Sequence, residues 1–227
     1  MNTEPTPDPQ QKTPGLLGAS RVIALIAVLG LAVGGGLYAF LPSDGNKDNQ
    51  LAGSCAIDEG HRAMIDAAAT GEVAAFRALD RPYSASQLGF NNQAGVPITI
   101  ADWKGRSVLF NLWATWCAPC RKEMPSLDAL QKNLGSDTFE VVPVSVDLGQ
   151  PAKPKGFYQT VGLKNLGFFH DPELATLNTL KKSGLAYGLP ATLLIDDRGC
   201  VVGSLNGPAH WDSEDAMRLI KAQINSK

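Results

Sequence analysis

The sequence carries little net charge and lacks the short motifs that bind phosphate groups. Its 227 residues include 20 Lys and Arg against 22 Asp and Glu, a formal net charge of −2. This balance gives no sign of a surface for polyanions. Neither a P-loop nor a GxGxxG fingerprint is present. These absences exclude the common nucleotide-binding motifs, and no nucleic-acid partner is expected.

Residues that bind metals are also few. The sequence has only three histidines, which are His61, His170 and His210. They do not show the His-x3-5-His spacing, and Cys55 and Cys200 are isolated, so Cys117 and Cys120 lack two further ligands for a zinc site. Haem attachment would need a histidine at position 121, where arginine stands. No metal and no other cofactor is predicted.

The one Cys-x-x-Cys pair follows an apolar, β-like run at residues 107–114 and opens a predicted helix. This order places Cys117 at a helix N-terminus, where unpaired N–H groups and the helix dipole favour a thiolate over a thiol. Cys120 lies one helical turn further on and could attack a mixed disulfide formed on Cys117. The pair is therefore predicted to be a two-electron redox switch.

The residues around this pair resemble the active site of TlpA-type (TlpA/ResA-like) membrane-anchored thioredoxin-like proteins. The matching residues are the segments 112–125 (LWATWCAPCRKEMP), 187–192 (YGLPAT) and 207–209 (GPA), with Asp196 and Trp211. The likeness runs from about Cys55 to the C-terminus. It implies a thioredoxin-like α/β fold, in which helices flank a mixed sheet that carries a helix–strand insertion, and the activity of a protein thiol-disulfide oxidoreductase.

The hydrophobic pattern predicts the other elements of an α/β sandwich around a mixed sheet. Two short helices are predicted within residues 55–79, and a last helix begins after Ser213. The elements predicted between them are a hairpin of residues 88–90 and 96–100, a strand at 139–146, helices at 153–161 and 172–182 on either side of a short strand at 167–170, and a hairpin of residues 192–196 and 201–205.

The first 54 residues are predicted to form a tail, an anchor and a linker. Residues 1–21 begin with a polar, proline-rich stretch and are expected to be a disordered tail. The twenty residues from Val22 to Leu41 carry no charge and are long enough to cross ~30 Å of hydrocarbon. Near their end, Leu37-Tyr38-Ala39 offers only the second small residue of a small-x-small cleavage site, which favours an uncleaved transmembrane helix over a signal peptide. Residues 42–54 read as a flexible linker to a domain at 55–227.

Charges beside the predicted anchor indicate its orientation. Arg21 and Lys12 precede it, so the positive-inside rule places the tail in the cytoplasm and the domain in the periplasm, on the outer side of a bacterial inner membrane. In such an oxidising compartment Cys55 and Cys200 could form a disulfide, whereas in the cytosol both could be buried free thiols. TlpA-type proteins carry a second, structural cysteine pair, so the resemblance implies the disulfide.

The resemblance also assigns substrate docking to Leu189 and Pro190. Pro190 stands just before a predicted strand, and sequence statistics alone favour a trans peptide bond there. Thioredoxin-like folds instead place a cis-proline beside the cysteine pair, where the preceding residue offers backbone groups to an extended substrate. A cis Leu189–Pro190 bond is therefore implied.

Four more residues are expected to support the redox pair. Trp116 would shield one side of the nucleophile, and Pro119 would stiffen the first helical turn. Asn111 stands where thioredoxins proper usually carry a buried Asp, and it either replaces that residue or satisfies local backbone groups. Since Asn cannot accept a proton, Glu123, one turn beyond the second cysteine, is a candidate base, unless it is an ordinary surface glutamate.

Two other functions compete with disulfide exchange. Cys117 and Cys120 could hold copper as an oxidase-assembly module, although copper chaperones of the related type use a Cys-x3-Cys pair with a distant His. A peroxidase of the peroxiredoxin type would need a Pro-x3-Thr-x2-Cys pattern, and Thr115 stands too close to the cysteine. The resemblance favours reduction of disulfides in copper chaperones, oxidase subunits or apocytochromes. In an oxidising compartment such a reductant has to be recharged, so a membrane electron donor is also expected.

Overall fold

The computed structural model describes residues 55–56, 58–81 and 83–226. The helices of this part of the chain are α1 (Glu59–Ala68), α2 (Ala118–Leu134), α3 (Ala152–Val161), α4 (Ala175–Lys182) and α5 (Glu214–Ile224). Its strands are β1 (Arg77–Ala78), β2 (Gly89–Asn91), β3 (Pro97–Thr99), β4 (Ser107–Trp113), β5 (Phe139–Ser145), β6 (Phe169–His170), β7 (Ala191–Ile195) and β8 (Val201–Asn206). Two short 3-10 helices, Gly71–Val73 and Ile100–Trp103, complete these elements.

All eight strands belong to one mixed sheet, in the order β1-β8-β7-β4-β5-β6-β2-β3. Every residue of the central strand β4 is buried, which explains its nearly continuous apolar sequence. β4 runs parallel to β5, from Ser107 opposite Phe139 to Trp113 opposite Ser145, and antiparallel to β7. The carboxyl ends of β4 and β5 therefore lie side by side at one end of the strands, and the cysteine pair follows β4 there.

The predicted thioredoxin-like α/β class is confirmed, with element ends shifted by a few residues. Both predicted hairpins form, β2 with β3 and β7 with β8. The helix–strand insertion also forms, since β6 extends the sheet parallel to β5 and bridges it to β2 at Asn91 and His170. Ser213 caps α5 by accepting a hydrogen bond from the amide of Ala216, at 3.2 Å.

The prediction of two helices within residues 55–79 is wrong in its second half. Only α1 is an α-helix, and it is followed by the single 3-10 turn at Gly71, where φ is +52°. Arg77 and Ala78 then pair with Ser204 and Gly203 of β8. Pairing with a sheet edge outweighs the weak helical periodicity, because the exposed edge offers backbone hydrogen bonds that a short helix would have to make alone.

The predicted tail, anchor and linker lie outside the described residues. Within residues 55–56, 58–81 and 83–226, none of the helices has both the length and the apolar character needed to span a bilayer.

A disulfide joins Cys55, before α1, to Cys200, the residue directly before β8. The two Cα atoms are 5.2 Å apart, and both cysteines are buried. The amide of Cys200 also donates to Oδ1 of Asp196, at 2.8 Å. The bond fastens the N-terminal segment beside β8, the strand that pairs with β1.

Removal of this bond should destabilise the domain without stopping disulfide exchange. Cys55 and Cys200 are 145 residues apart, so in the chain-entropy view the cross-link contributes about 4–5 kcal/mol. For Cys200→Ser we expect the Tm of the oxidised protein to fall by roughly 10 °C or more. Calorimetry together with a thiol-exchange assay checks this expectation. An unchanged Tm would contradict it, as would alkylation of both cysteines in the native protein.

Candidate active site

The cysteine pair lies at the N-terminus of α2 and forms a disulfide. Cys117 is the N-cap residue, and its Sγ accepts a hydrogen bond from the amide of Cys120 at 3.2 Å. The Cα atoms of the two cysteines are 5.3 Å apart. Cys117 is 6% exposed and Cys120 fully buried, so an incoming disulfide reaches Cys117 first. The same amide would stabilise a Cys117 thiolate after reduction.

Trp116 and Pro119 lie on either side of the nucleophile along the chain. The Trp116 side chain is 63% exposed, and its role as a shield for Cys117 stays a prediction. Pro119 occupies the first turn of α2, where a missing N–H leaves no helical hydrogen bond unmade. Trp113 and Trp211 are fully buried, so both are core residues.

The Leu189–Pro190 bond is cis, as the resemblance implied. Pro190 is buried, and its carbonyl accepts from the amide of Gly207 at 3.0 Å. The next residue, Ala191, opens β7 opposite Leu112 of β4. The cis-proline loop therefore lies at the same end of the central strands as the cysteine pair. Docking of a substrate by Leu189 and Pro190 stays a prediction.

Glu123, in the second turn of α2, is buried, and both of its carboxylate oxygens accept hydrogen bonds. Its Oε1 accepts from Nδ2 of Asn111 at 2.9 Å. Its Oε2 accepts from the amide of Ala209 at 3.2 Å and from Nε1 of Trp211 at 3.4 Å. Because the side chain is only 3% exposed, the surface-glutamate alternative is wrong. Desolvation dominates its electrostatics and raises the pKa of Glu123 to about 7, although these hydrogen bonds lower it.

Asn111 bonds to side chains and not to local backbone groups, so the backbone alternative is wrong. Its Nδ2 also donates to Oγ1 of Thr192, at 2.9 Å. Its Oδ1 is buried and, among the described residues, has no hydrogen-bond partner. Asn111 therefore orients Glu123 through a neutral donor. The ionisable group of this site is Glu123 on α2, whereas thioredoxins proper carry an Asp at the strand position of Asn111.

Sequence reasoning missed the groups that hold Glu123 and the loop before Cys117. Thr192, Ala209 and Trp211 belong to the family-like segments, but nothing in them pointed to Glu123. Asp147 was not singled out at all, although a carboxylate directly after a buried strand is a recognisable signal. It is 4% exposed and accepts a hydrogen bond from the amide of Thr115, at 2.8 Å.

A groove of about 380 Å³ leads from the surface to Glu123. Its lining residues are Glu72, Ala118, Pro119, Lys122, Glu123, Pro208, Ala209 and His210. The groove gives the buried carboxyl a route for exchanging protons with solvent. In the part of the chain that the structure describes, no cluster of three or more His, Cys, Asp or Glu side chains could hold a metal ion.

Comparison with known proteins places these features in a family. Residues 71–220 match the Redoxin family. The chain belongs to this family. ResA of Bacillus subtilis, named a thiol-disulfide oxidoreductase, is 34% identical over 128 residues, which cover 56% of this chain and 68% of ResA. HelX of Rhodobacter capsulatus, named a thiol:disulfide interchange protein, is 33% identical over 123 residues, covering 52% of this chain and 63% of HelX.

A solved structure agrees with the assignment. The crystal structure of a protein described as a putative thiol:disulfide interchange protein DsbE, from Chlorobium tepidum, superimposes with a TM-score of 0.56 at 26% identity. The superposition covers 65% of this Redoxin-family chain and 100% of that chain. With its Cys117–Cys120 disulfide, the chain is a thioredoxin-like thiol-disulfide oxidoreductase. The chain spans about two thirds of the length of these curated relatives.

Proposed function

We propose that the protein is a membrane-anchored periplasmic oxidoreductase that reduces disulfides in partner proteins. The observation that carries the proposal is the buried Glu123 behind a Cys117–Cys120 disulfide at a helix N-terminus. The arrangement supplies an accessible nucleophile, a covered resolving thiol and a nearby proton acceptor. The two thiols carry out the disulfide exchange, and a nearby base speeds the resolving step.

The reaction proceeds in two exchanges. The Cys117 thiolate of the reduced protein attacks a substrate disulfide, forming a mixed disulfide and releasing one substrate thiolate. Cys120 then gives its proton to Glu123, and its thiolate attacks Sγ of Cys117. This step releases the second substrate thiolate and re-forms the Cys117–Cys120 disulfide. Two electrons pass from the protein dithiol to the substrate disulfide, whose sulfurs take up two protons.

The residues between the cysteines favour the reducing direction. Ala118 and Pro119 offer no donor side chain, and Pro119 has no N–H. A strong oxidant of this fold stabilises its reduced form through a heavily favoured thiolate. Here one amide, that of Cys120, donates to Cys117 Sγ. The potential should therefore lie nearer the roughly −270 mV of thioredoxin than the ~−120 mV of a strong oxidase.

Location and recharging follow from the same proposal. The segment from Val22 to Leu41 would anchor the chain in the inner membrane, and the Cys55–Cys200 disulfide supports an oxidising compartment for the domain. A reductant there needs a supply of electrons. A membrane electron-transfer protein that carries reducing equivalents from the cytoplasm would meet that need.

The proposed substrates are proteins whose disulfides must be opened during cytochrome oxidase or cytochrome c biogenesis. The resemblance to TlpA-type proteins supports copper chaperones, oxidase subunits or apocytochromes as this class. Leu189, half-buried beside the cis-proline, would present its backbone to an extended substrate segment.

A redox titration tests the direction of electron flow. We expect the full chain in detergent, equilibrated with defined glutathione or dithiothreitol ratios, to give a potential well below about −180 mV, the value of disulfide isomerase. A higher value would make the protein an oxidant or isomerase. Identification of the mixed disulfides trapped by Cys120→Ser in cells would then show which substrate class is bound.

A further inference from the structure

Asp147 fastens the loop that carries the nucleophile. The residue follows β5, and its carboxylate accepts hydrogen bonds from the amide and the hydroxyl of Thr115, the former at 2.8 Å. It also accepts from Oγ of Ser145, at 3.0 Å. Thr115 is only two residues before Cys117, so these bonds tie the approach to the nucleophile to the end of the neighbouring strand.

The Asp147 carboxylate is buried and bonded to neutral donors. It is 4% exposed, and none of the ion pairs between described residues includes it. His170 on β6 lies nearby, but its Nε2 is 2.7 Å from the main-chain oxygen of Asp147. Since a carbonyl oxygen only accepts, Nε2 donates there. Lys155 of α3 does not pair with Asp147 either, since it donates to the carbonyl of Gln93 and lies over the ring of Phe168.

The chain limits how far the Asp147 carboxylate can lie from Cys117, because that carboxylate is bonded to Thr115. Two residues of extended chain span at most about 7 Å, so the Cα atoms of Thr115 and Cys117 lie within that range. Salt screens buried charges less than exposed ones, so a negative Asp147 acts on a Cys117 thiolate at this range. Glu123 is a second buried carboxyl of the site, and it reaches Asn111 on β4 from α2. Asp147 is therefore a separate anionic group on the β5 side of the site.

We propose that Asp147 is a positioning residue that holds the Thr115–Cys117 loop and, through its negative charge, disfavours the Cys117 thiolate, making the protein a stronger reductant. The inference rests on the proposed function, since it explains how the reducing direction is set. A neutral residue at 147 removes the repulsion. The thiolate and hence the dithiol form gain stability relative to the disulfide, and the potential rises.

The measured quantity is the equilibrium in which the protein disulfide and two glutathione molecules give the protein dithiol and one glutathione disulfide. For Asp147→Asn we expect the equilibrium constant of the full chain to rise about tenfold, which corresponds to ~30 mV for two electrons. Cys117 should also be alkylated faster at pH 6–7. A purely structural Asp147 would lower the Tm and leave the equilibrium constant unchanged.

Two variants of Thr115 separate charge from loop order. Thr115→Val removes the hydroxyl donor but keeps the carboxylate charge, and we expect its equilibrium constant to stay within about threefold of wild type. Thr115→Ser keeps the donor and should match wild type. If Thr115→Val shifts the constant as far as Asp147→Asn, loop order and not charge sets the potential, and the inference is wrong.

A second neutral variant, Asp147→Ser, keeps the test possible if Asp147→Asn folds poorly. Asp147→Ser also removes the charge and keeps a small polar side chain, so the same rise in the equilibrium constant is expected. A constant within twofold of wild type in a folded neutral variant would overturn the inference. The absolute potential of the wild type tests the proposed reductant function, while the difference between variant and wild type tests the role of Asp147. The two can therefore fail separately.

Discussion

Replacement of Cys117 by serine should reduce disulfide turnover to the rate of the reductant alone. A serine hydroxyl is not ionised near pH 7, even at the helix N-terminus that favours a Cys117 thiolate. Without the first exchange no mixed disulfide forms, so the buried Cys120 has nothing to resolve. Insulin reduction with dithiothreitol, or reduction of a model protein disulfide, measures the loss.

Cys120→Ser is the matched control for this experiment. This variant keeps the accessible nucleophile, so it should form a stable mixed disulfide in a single exchange and fail to turn over. Mild reduction followed by alkylation of the wild type should label Cys117 before Cys120, since only the former is at all exposed. Turnover by Cys117→Ser, or faster labelling of Cys120, would show that the roles are reversed.

Replacement of Glu123 by glutamine should slow the resolving exchange by roughly 10²–10⁴, the usual contribution of a positioned base. In the wild type this step should speed up as the pH rises through about 7, because burial raises the pKa of the Glu123 carboxyl to about 7. Below that pH the carboxyl is protonated and cannot take the proton of Cys120. The variant should lose this dependence. Stopped-flow decay of the mixed disulfide from pH 5.5 to 8.5 measures both effects.

The same variant should change the dependence of stability on pH. A carboxyl whose pKa rises from 4.5 to about 7 on folding contributes stability that is complete below pH 4.5 and lost as the pH rises through 7. That loss amounts to about 3 kcal/mol at pH 8. The difference in unfolding free energy between wild type and Glu123→Gln should shift by this amount between pH 4.5 and 8.

Glu173→Gln, a change to an exposed glutamate near the start of α4, serves as the control for both measurements. It should leave the resolving rate and the pH dependence of stability close to those of wild type. If Glu123→Gln resolves the mixed disulfide at the wild-type rate across this pH range, another group is the base for Cys120.

The sequence alone determined the redox chemistry and the fold class. Both depend on local patterns, since the apolar run of β4, the cysteine spacing and the start of α2 are neighbours in the chain. Hairpins were also predictable, because β2–β3 and β7–β8 join strands that lie close in sequence. The predicted cis bond came from the resemblance, since statistics for X-Pro bonds favour the trans form.

Only the tertiary structure decided the state of the supporting residues. Whether Glu123 is a surface residue or a buried base depends on distant residues such as Ala209, which is 86 residues away and donates its amide to the carboxylate. The orientation of Asn111 depends on Thr192, 81 residues away. Asp147 reaches Thr115 only because β4 and β5 pair in parallel. Burial of a polar group, and with it the pKa of an acid, is set by such distant partners, which a local sequence pattern does not specify.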